Sequence, residues 1–255
     1  LRVSPGMGTG LPYPVRSKWI ERKGDPNYLV ASAEMQGYRN NMEDAKSLCL
    51  RLSDEHPELA LFGVYDGHAG EMCSEFLENR VPSKVGKLKN PTKKVDLVDA
   101  MLEIDEEYLN EPKRRTNGST CVFTVVRPRP RKRTGNPGTV APASAEAVAC
   151  EGASRKIEAK AKAAGGSAVS RVEQGQEYEV TVCNIGDSRA VLLRKDGRWK
   201  LLTRDHKPSL AGEKERIEKA EGKVENDRVD GQLALSRAIG DWHYKDNGKL
   251  KPHQQ

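Results

Sequence analysis

Aromatic residues are scarce: three Trp, seven Tyr and three Phe make up 5% of the 255 residues. Apolar residues of the AVILMFWYC set reach only 36%, against 31% charged. So polar a chain has a modest core, yet its length suits one large domain or two small ones. No apolar run approaches the roughly 20 residues that span a bilayer; the longest, Leu59 to Tyr65, has a strand's length. No basic segment followed by an apolar one opens the chain, so neither a secretory signal nor a membrane anchor is expected. The five cysteines (49, 73, 121, 150 and 183) form no C-x-x-C pair and leave an odd one. Both facts argue against a zinc knuckle or a disulfide scaffold and for a reducing, cytoplasmic setting.

The charge excess is local. A net charge of +6 and an isoelectric point near 9.0 suggest nucleic acid at first sight. Residues 127–177 alone hold six Arg and four Lys against five Glu, a net of +5, which leaves +1 for the rest. This segment opens with Arg127-Pro-Arg-Pro-Arg-Lys-Arg133 and continues through Gly, Pro, Ser and eleven Ala. With few large apolar residues it reads as a flexible insertion inside a domain spanning 13–255. Residues 154–164 are its one helix candidate. The run 129–133 has the character of a nuclear-import or anion-binding patch, and the insertion is a candidate contact for a protein partner. The plain alternative is a solvated loop, and nucleic-acid binding by the body of the protein is not favoured.

Either side of the insertion the pattern is globular. Residues 28–35, 47–52, 59–65, 119–126, 177–184, 189–194 and 198–202 read as strands. Lys195-Asp196-Gly197 marks a hairpin between the last two. Segments 69–80, 92–110 and 211–221 read as helices, the second with Val95, Val98, Met101, Leu102, Asp105 and Leu109 at helical spacing. Trp19, Trp199 and Trp242 are expected to pack. Strands in antiparallel runs with few helices between them predict an α+β fold with a sheet sandwich.

Four short segments carry chemistry. Gln36-Gly-Tyr-Arg-Asn-Asn-Met-Glu-Asp44 follows a strand and sets Arg39 four and five residues before Glu43 and Asp44. Asp66-Gly-His-Ala-Gly70 joins an apolar strand to a helix, and Gly118-Ser-Thr120 and Asn184-Ile-Gly-Asp-Ser-Arg189 lie at strand ends. Carboxylates beside glycines at strand ends suit hard cations such as Mg²⁺ or Mn²⁺. Arg grips phosphate with a planar fork, and a His beside a metal-holding Asp can protonate a leaving oxygen. Taken singly, paired acids and a lone Arg are ordinary surface charges.

In order and context the segments resemble the metal-dependent Ser/Thr protein phosphatases of type 2C. The resemblance continues through Leu202-Thr-Arg-Asp-His-Lys-Pro208 and Leu235-Ser-Arg-Ala-Ile-Gly-Asp241, covering roughly 13–126 and 178–245. It implies a β-sandwich of two antiparallel sheets flanked by antiparallel helices in four layers. It also implies hydrolysis of phosphoserine and phosphothreonine in phosphoprotein substrates at a binuclear Mn²⁺ or Mg²⁺ centre, with a metal-bridging water as nucleophile. Asp66 matches the bridging ligand, and Gly67 supplies a carbonyl. Glu43 and Asp44 match acids that hold the cluster through water. Asp187 matches a nearby acid, Arg39 the phosphate clamp and His68 the proposed general acid. Ser119, Thr120, His206 and Lys207 read as structural, and Cys73 and Cys121 as small core residues.

The family's two further metal aspartates, in a D-G-x-[WF]-D segment and a later D-N segment, have no match before Gln255. The expectation is therefore a fragment, incomplete at its C-terminus and weak or inactive by itself. The alternative is a pseudophosphatase retained as a binding or scaffold module.

Overall fold

The apolar run at 59–65 becomes the middle of a sheet. In the computed structural model, residues 10–114, 116–129, 155–160, 176–248 and 250 are described. In chain order the first elements are β1 (Val15–Gly24), β2 (Leu29–Gly37), β3 (Asp44–Cys49), β4 (Ala60–His68), α1 (Met72–Val85) and α2 (Lys94–Leu109). They are followed by β5 (Gly118–Ser119), β6 (Cys121–Arg129), β7 (Arg155–Lys160), β8 (Glu177–Ile185), β9 (Val191–Leu193) and β10 (Trp199–Leu201). The last are α3 (Ala211–Lys219), β11 (Val224–Glu225), β12 (Arg228–Val229) and β13 (Ile239–Gly240). Seven strands form one sheet in the order β13-β5-β4-β6-β8-β7, with β3 on the other edge of β4. Every pairing is antiparallel, so the class is α+β as expected.

Side-chain alternation on β4 sorts the two faces. Leu61 and Tyr65 point into a core with Phe123 and Val125 of β6, Leu77 and Val81 of α1, and Leu97 and Ile104 of α2. Pro82 lies inside α1 and has no N–H for the Glu78 carbonyl. That carbonyl accepts the Ser47 hydroxyl of β3 at 2.7 Å instead, and Ser47 also meets the Tyr65 hydroxyl at 2.9 Å. The vacancy left by proline thus becomes a helix-to-sheet bond. On the other face, Val182 of β8 packs with Leu192 and Leu202, and Tyr28 meets the Phe62 ring edge-on at 6.0 Å.

Four readings change. Strand β1 carries charges along both faces and is exposed almost throughout, so it lacks a period-two signal; its ladder with β2 holds it. Residues 155–160 are not helix but a strand beside β8, while 127–129 extend β6 and pair with 177–179. On α2 the buried residues are Leu97, Ala100, Met101, Ile104, Asp105 and Tyr108, so Met101 and Asp105 of the expected row are inside, whereas Val95 is 56% exposed. Val95, Val98 and Leu102 border a cavity of about 1060 Å³ beside α3 and residues 229–248. Trp19 and Trp199 are 70% and 69% exposed rather than packed. The 195–197 hairpin turn forms as expected between β9 and β10. Residues 130–154 and 161–175 of the insertion, the basic residues 131–133 among them, lie outside the described residues.

Candidate active site

Asp66, Gly67 and His68 are the last three residues of β4. There β5 replaces β6 as the partner on one edge, while β3 reaches Asp66 on the other. Asp44 stands directly opposite Asp66 across the β3–β4 ladder. Facing carboxylates repel. Burial first, then the charge and hydrogen bond of Asp66, push Asp44 up to about 6, against the opposing pull of Arg39. Gly67 donates its N–H to the Glu43 carbonyl at 3.2 Å, and a Cβ at 67 would collide with that oxygen. Only glycine lets the two strands close here.

Arg39 lies between β2 and β3 with its side chain 73% exposed, and its Nη2 reaches Glu43 Oε2 at 3.4 Å. Thr120 ties the strand end to the turn after β8. Its N–H donates to the Asp66 carbonyl at 2.9 Å, its Oγ1 accepts the Asp66 N–H at 3.1 Å, and Ser188 Oγ lies 2.7 Å from that hydroxyl. The next residue back, Asp187, accepts the Lys207 ammonium. Ser119 bonds backbone, as expected. His206 accepts the Gly186 N–H at 3.1 Å through Nδ1, and its backbone N–H donates to the Gly186 carbonyl at 3.0 Å. Burial, then the Arg237 charge, lowers its pKa to about 4, so it is a neutral structural residue.

The structure therefore brings the expected residues together in pairs: Asp44 with Asp66, Arg39 with Glu43. Among the described residues, no three His, Cys, Asp or Glu side chains converge closely enough to hold a metal unaided. His68 pairs with a residue to which no role had been given. Its Nε2 lies 2.8 Å from both carboxylate oxygens of Asp241. Burial of the ring opposes its charge, but the hydrogen bond and charge of Asp241, with Asp66 and Glu43 beyond, prevail and raise its pKa. Asp105 of α2 is a second unforeseen participant, accepting the Gly240 N–H at 2.8 Å just before Asp241. The Gly240-Asp241 pair at the end of β13 was a visible signal for Asp241, and the place of Asp105 in an apolar row of α2 was one for Asp105. Cys73 and Cys121 are fully buried, and burial raises both thiols well above their ordinary range, which removes them as nucleophiles.

Comparison with known proteins puts this antiparallel α+β framework, with its paired acids where the central strand ends, in the class of protein phosphatase domains. Within that class the chain belongs to the protein phosphatase 2C family, whose model matches residues 28–141 and 139–254. It is 34% identical over 261 residues to protein phosphatase 2C homolog 2 of Hypocrea jecorina, covering 98% of this chain and 48% of that protein. It is 32% identical over 255 residues to probable protein phosphatase 2C 4 of Paramecium tetraurelia, covering 98% of this chain and 70% of the relative. Among solved structures, a phosphatase from a pathogenic strain of Toxoplasma gondii superposes with a TM-score of 0.62 at 27% identity, over 96% of this chain and 70% of its own. The chain spans about half the length of the fungal relatives it matches.

Proposed function

We propose that the complete protein removes phosphate from phosphoserine and phosphothreonine in proteins, using two Mn²⁺ or Mg²⁺ ions held at the end of β4. The observation that carries this reading is the cross-strand pair Asp44 and Asp66. Two carboxylates placed face to face, one of them pushed up to about 6, gain most from a shared divalent cation. The donors nearby are oxygens, which fits hard cations rather than zinc. Asp66, the Gly67 carbonyl, Glu43 and Asp44 would hold the ions, with Asp187 at the margin once released from Lys207. When bound, the ions supply the Lewis acidity that makes water a nucleophile near neutral pH. Arg39, on its mobile-length side chain, turns from Glu43 to hold the phosphate oxygens, and His68 protonates the departing serine or threonine oxygen. A cytoplasmic setting belongs to the same proposal, supported by the buried, unpaired thiols of Cys73, Cys121 and Cys183. So does a partner-binding role for 127–177, supported only by its basic composition. No observation favours the inactive scaffold.

The test is release of phosphate from phosphoserine and phosphothreonine peptides by the complete protein. Turnover is expected with Mn²⁺ or Mg²⁺, and its loss is expected in excess EDTA and in Asp66→Asn. Full activity in either of the last two conditions overturns the reading.

A further inference from the structure

We infer that Asp241 is the positioning residue for His68, fixing the imidazole so that Nδ1 is the nitrogen presented to the leaving group. The inference rests on the phosphatase reading above and adds a residue to it. Three adjacent strands make the contact. His68 of β4 lies opposite Gly118 of β5, and Gly118 lies opposite Gly240 of β13. The residue after Gly240 reaches back over Gly118 to the imidazole, a path open only because position 118 has no side chain. A Cβ there would sit about 2.5 Å from the Asp241 carboxylate.

The Asp241 backbone is held in that place at some cost. Its φ is +56°, left-handed for a residue with a side chain. Two bonds hold this geometry: the Asp241 N–H donates to the Asn117 carbonyl at 3.0 Å, and the Gly240 N–H donates to Asp105. Asp241 itself is 8% exposed. A buried, strained carboxylate whose two oxygens are both 2.8 Å from one ring nitrogen fixes two properties of His68. Ring rotation is blocked, and a hydrogen is kept on Nε2, the nitrogen that donates to Asp241. Nδ1 is then the nitrogen left to act. As the water oxygen bonds to phosphorus, the ester P–O bond breaks with its electron pair on the serine oxygen, which takes a proton from Nδ1. The water gives its own proton to solvent, and His68 is reprotonated from solvent.

A purely structural Asp241 would slow every substrate alike. A positioning residue acts only where His68 is needed. A serine leaves as an alkoxide that needs a proton, whereas p-nitrophenyl phosphate releases a phenolate that scarcely does. In the complete Mn²⁺-loaded protein, Asp241→Asn is expected to lower kcat for a phosphoserine peptide by roughly 10²-fold, within the range typical of general acid catalysis. KM should hold, and the loss on p-nitrophenyl phosphate should be less than about 3-fold. His68→Ala/Asp241→Asn should be no slower than His68→Ala, because groups acting as a unit are not additive. Gly118→Ala, which displaces the carboxylate while leaving both partners present, should repeat the selective loss. The ¹⁵N shifts of the His68 ring give a reading independent of turnover: at a pH where the ring is neutral, wild type should carry its one hydrogen on Nε2, leaving Nδ1 as the site that gains and gives the second proton, and Asp241→Ala should show a mixture of tautomers. Equal losses on both esters, additive losses in the double variant, or ring shifts unchanged in Asp241→Ala overturn the inference. If the wild-type protein releases no phosphate, the phosphatase reading fails, and the ring shifts still decide whether Asp241 fixes the imidazole.

Discussion

The Lys245 ammonium lies 2.8 and 2.7 Å from the two oxygens of the Asp105 carboxylate, 140 residues away in sequence. It also donates to the Ala238 carbonyl at 2.8 Å, so one cation joins α2 to both sides of β13. Asp105 is 6% exposed. Removing one member of a buried ion pair strands the other, at a cost of about 3–5 kcal/mol. Here Asp105 keeps the Gly240 N–H, so Lys245→Ala should fall near the lower end. Asp105→Ala loses the ion pair and the backbone bond together and should cost more. Denaturant unfolding of the complete protein measures both, and Asp105→Ala proving the milder change would contradict this account.

Local alternation and glycine placement made much of this legible. β4 follows from its apolar run, β8 from alternation and the 195–197 turn from its turn residues, and the carboxylates at the strand end follow from Asp66-Gly67-His68. Strand β1 was hidden because its Lys, Arg and Glu residues face solvent on both sides, so only its pairing with β2 defines it. The buried stripe of α2 was placed only in part, at Met101 and Asp105, because both of its apolar stripes have helical spacing. Which one packs depends on where the sheet lies, and the helix does not encode that. The His68–Asp241 pair joins positions 173 residues apart and depends on the strand order β4-β5-β13. No spacing rule reaches that far.

The facing acids predict opposite effects with and without metal. Asp44→Asn removes the repulsion across the ladder, where such pairs are worth roughly 0.2–1 kcal/mol. The metal-free protein should therefore melt at the same or a slightly higher temperature. The same change removes a carboxylate that would hold the ions, so the rise in melting temperature on adding Mn²⁺ should shrink sharply. Differential scanning calorimetry with EDTA and with Mn²⁺ reads both. An undiminished Mn²⁺-induced rise would show that Asp44 plays no part in binding.

The strands flanking the insertion pair with each other up to Arg129 and Glu177, so they close without its help. Replacing 131–175 by a short turn should change the melting temperature of the complete protein by only a few degrees and leave turnover intact. Closure entropy grows only as the logarithm of length, so shortening the connection roughly tenfold recovers about 2 kcal/mol. The removed length includes β7, the edge strand beside β8. Association of the shortened protein in light scattering would show that β7 covers an edge otherwise open to pairing. Loss of folding would show that the insertion contributes to the core.

His206 gives the stability a pH dependence. Its Nδ1 accepts the Gly186 N–H, and burial with the Arg237 charge lowers its pKa from the usual 6.5 to about 4. Between those values the unfolded chain binds a proton that the folded chain refuses, so acid favours unfolding. The contribution of neutral His206 is complete above pH 6.5 and is lost as pH falls toward 4, by about 2 kcal/mol at pH 5. Other groups titrate in that window, Asp44 among them, so the comparison must be with a variant that keeps the bond and cannot titrate. His206→Asn offers a side-chain carbonyl to the same N–H. Between pH 7 and pH 5 the wild-type unfolding free energy should fall by about 2 kcal/mol more than that of His206→Asn. Parallel pH profiles would mean that His206 takes up its proton without disturbing the turn that carries Asp187.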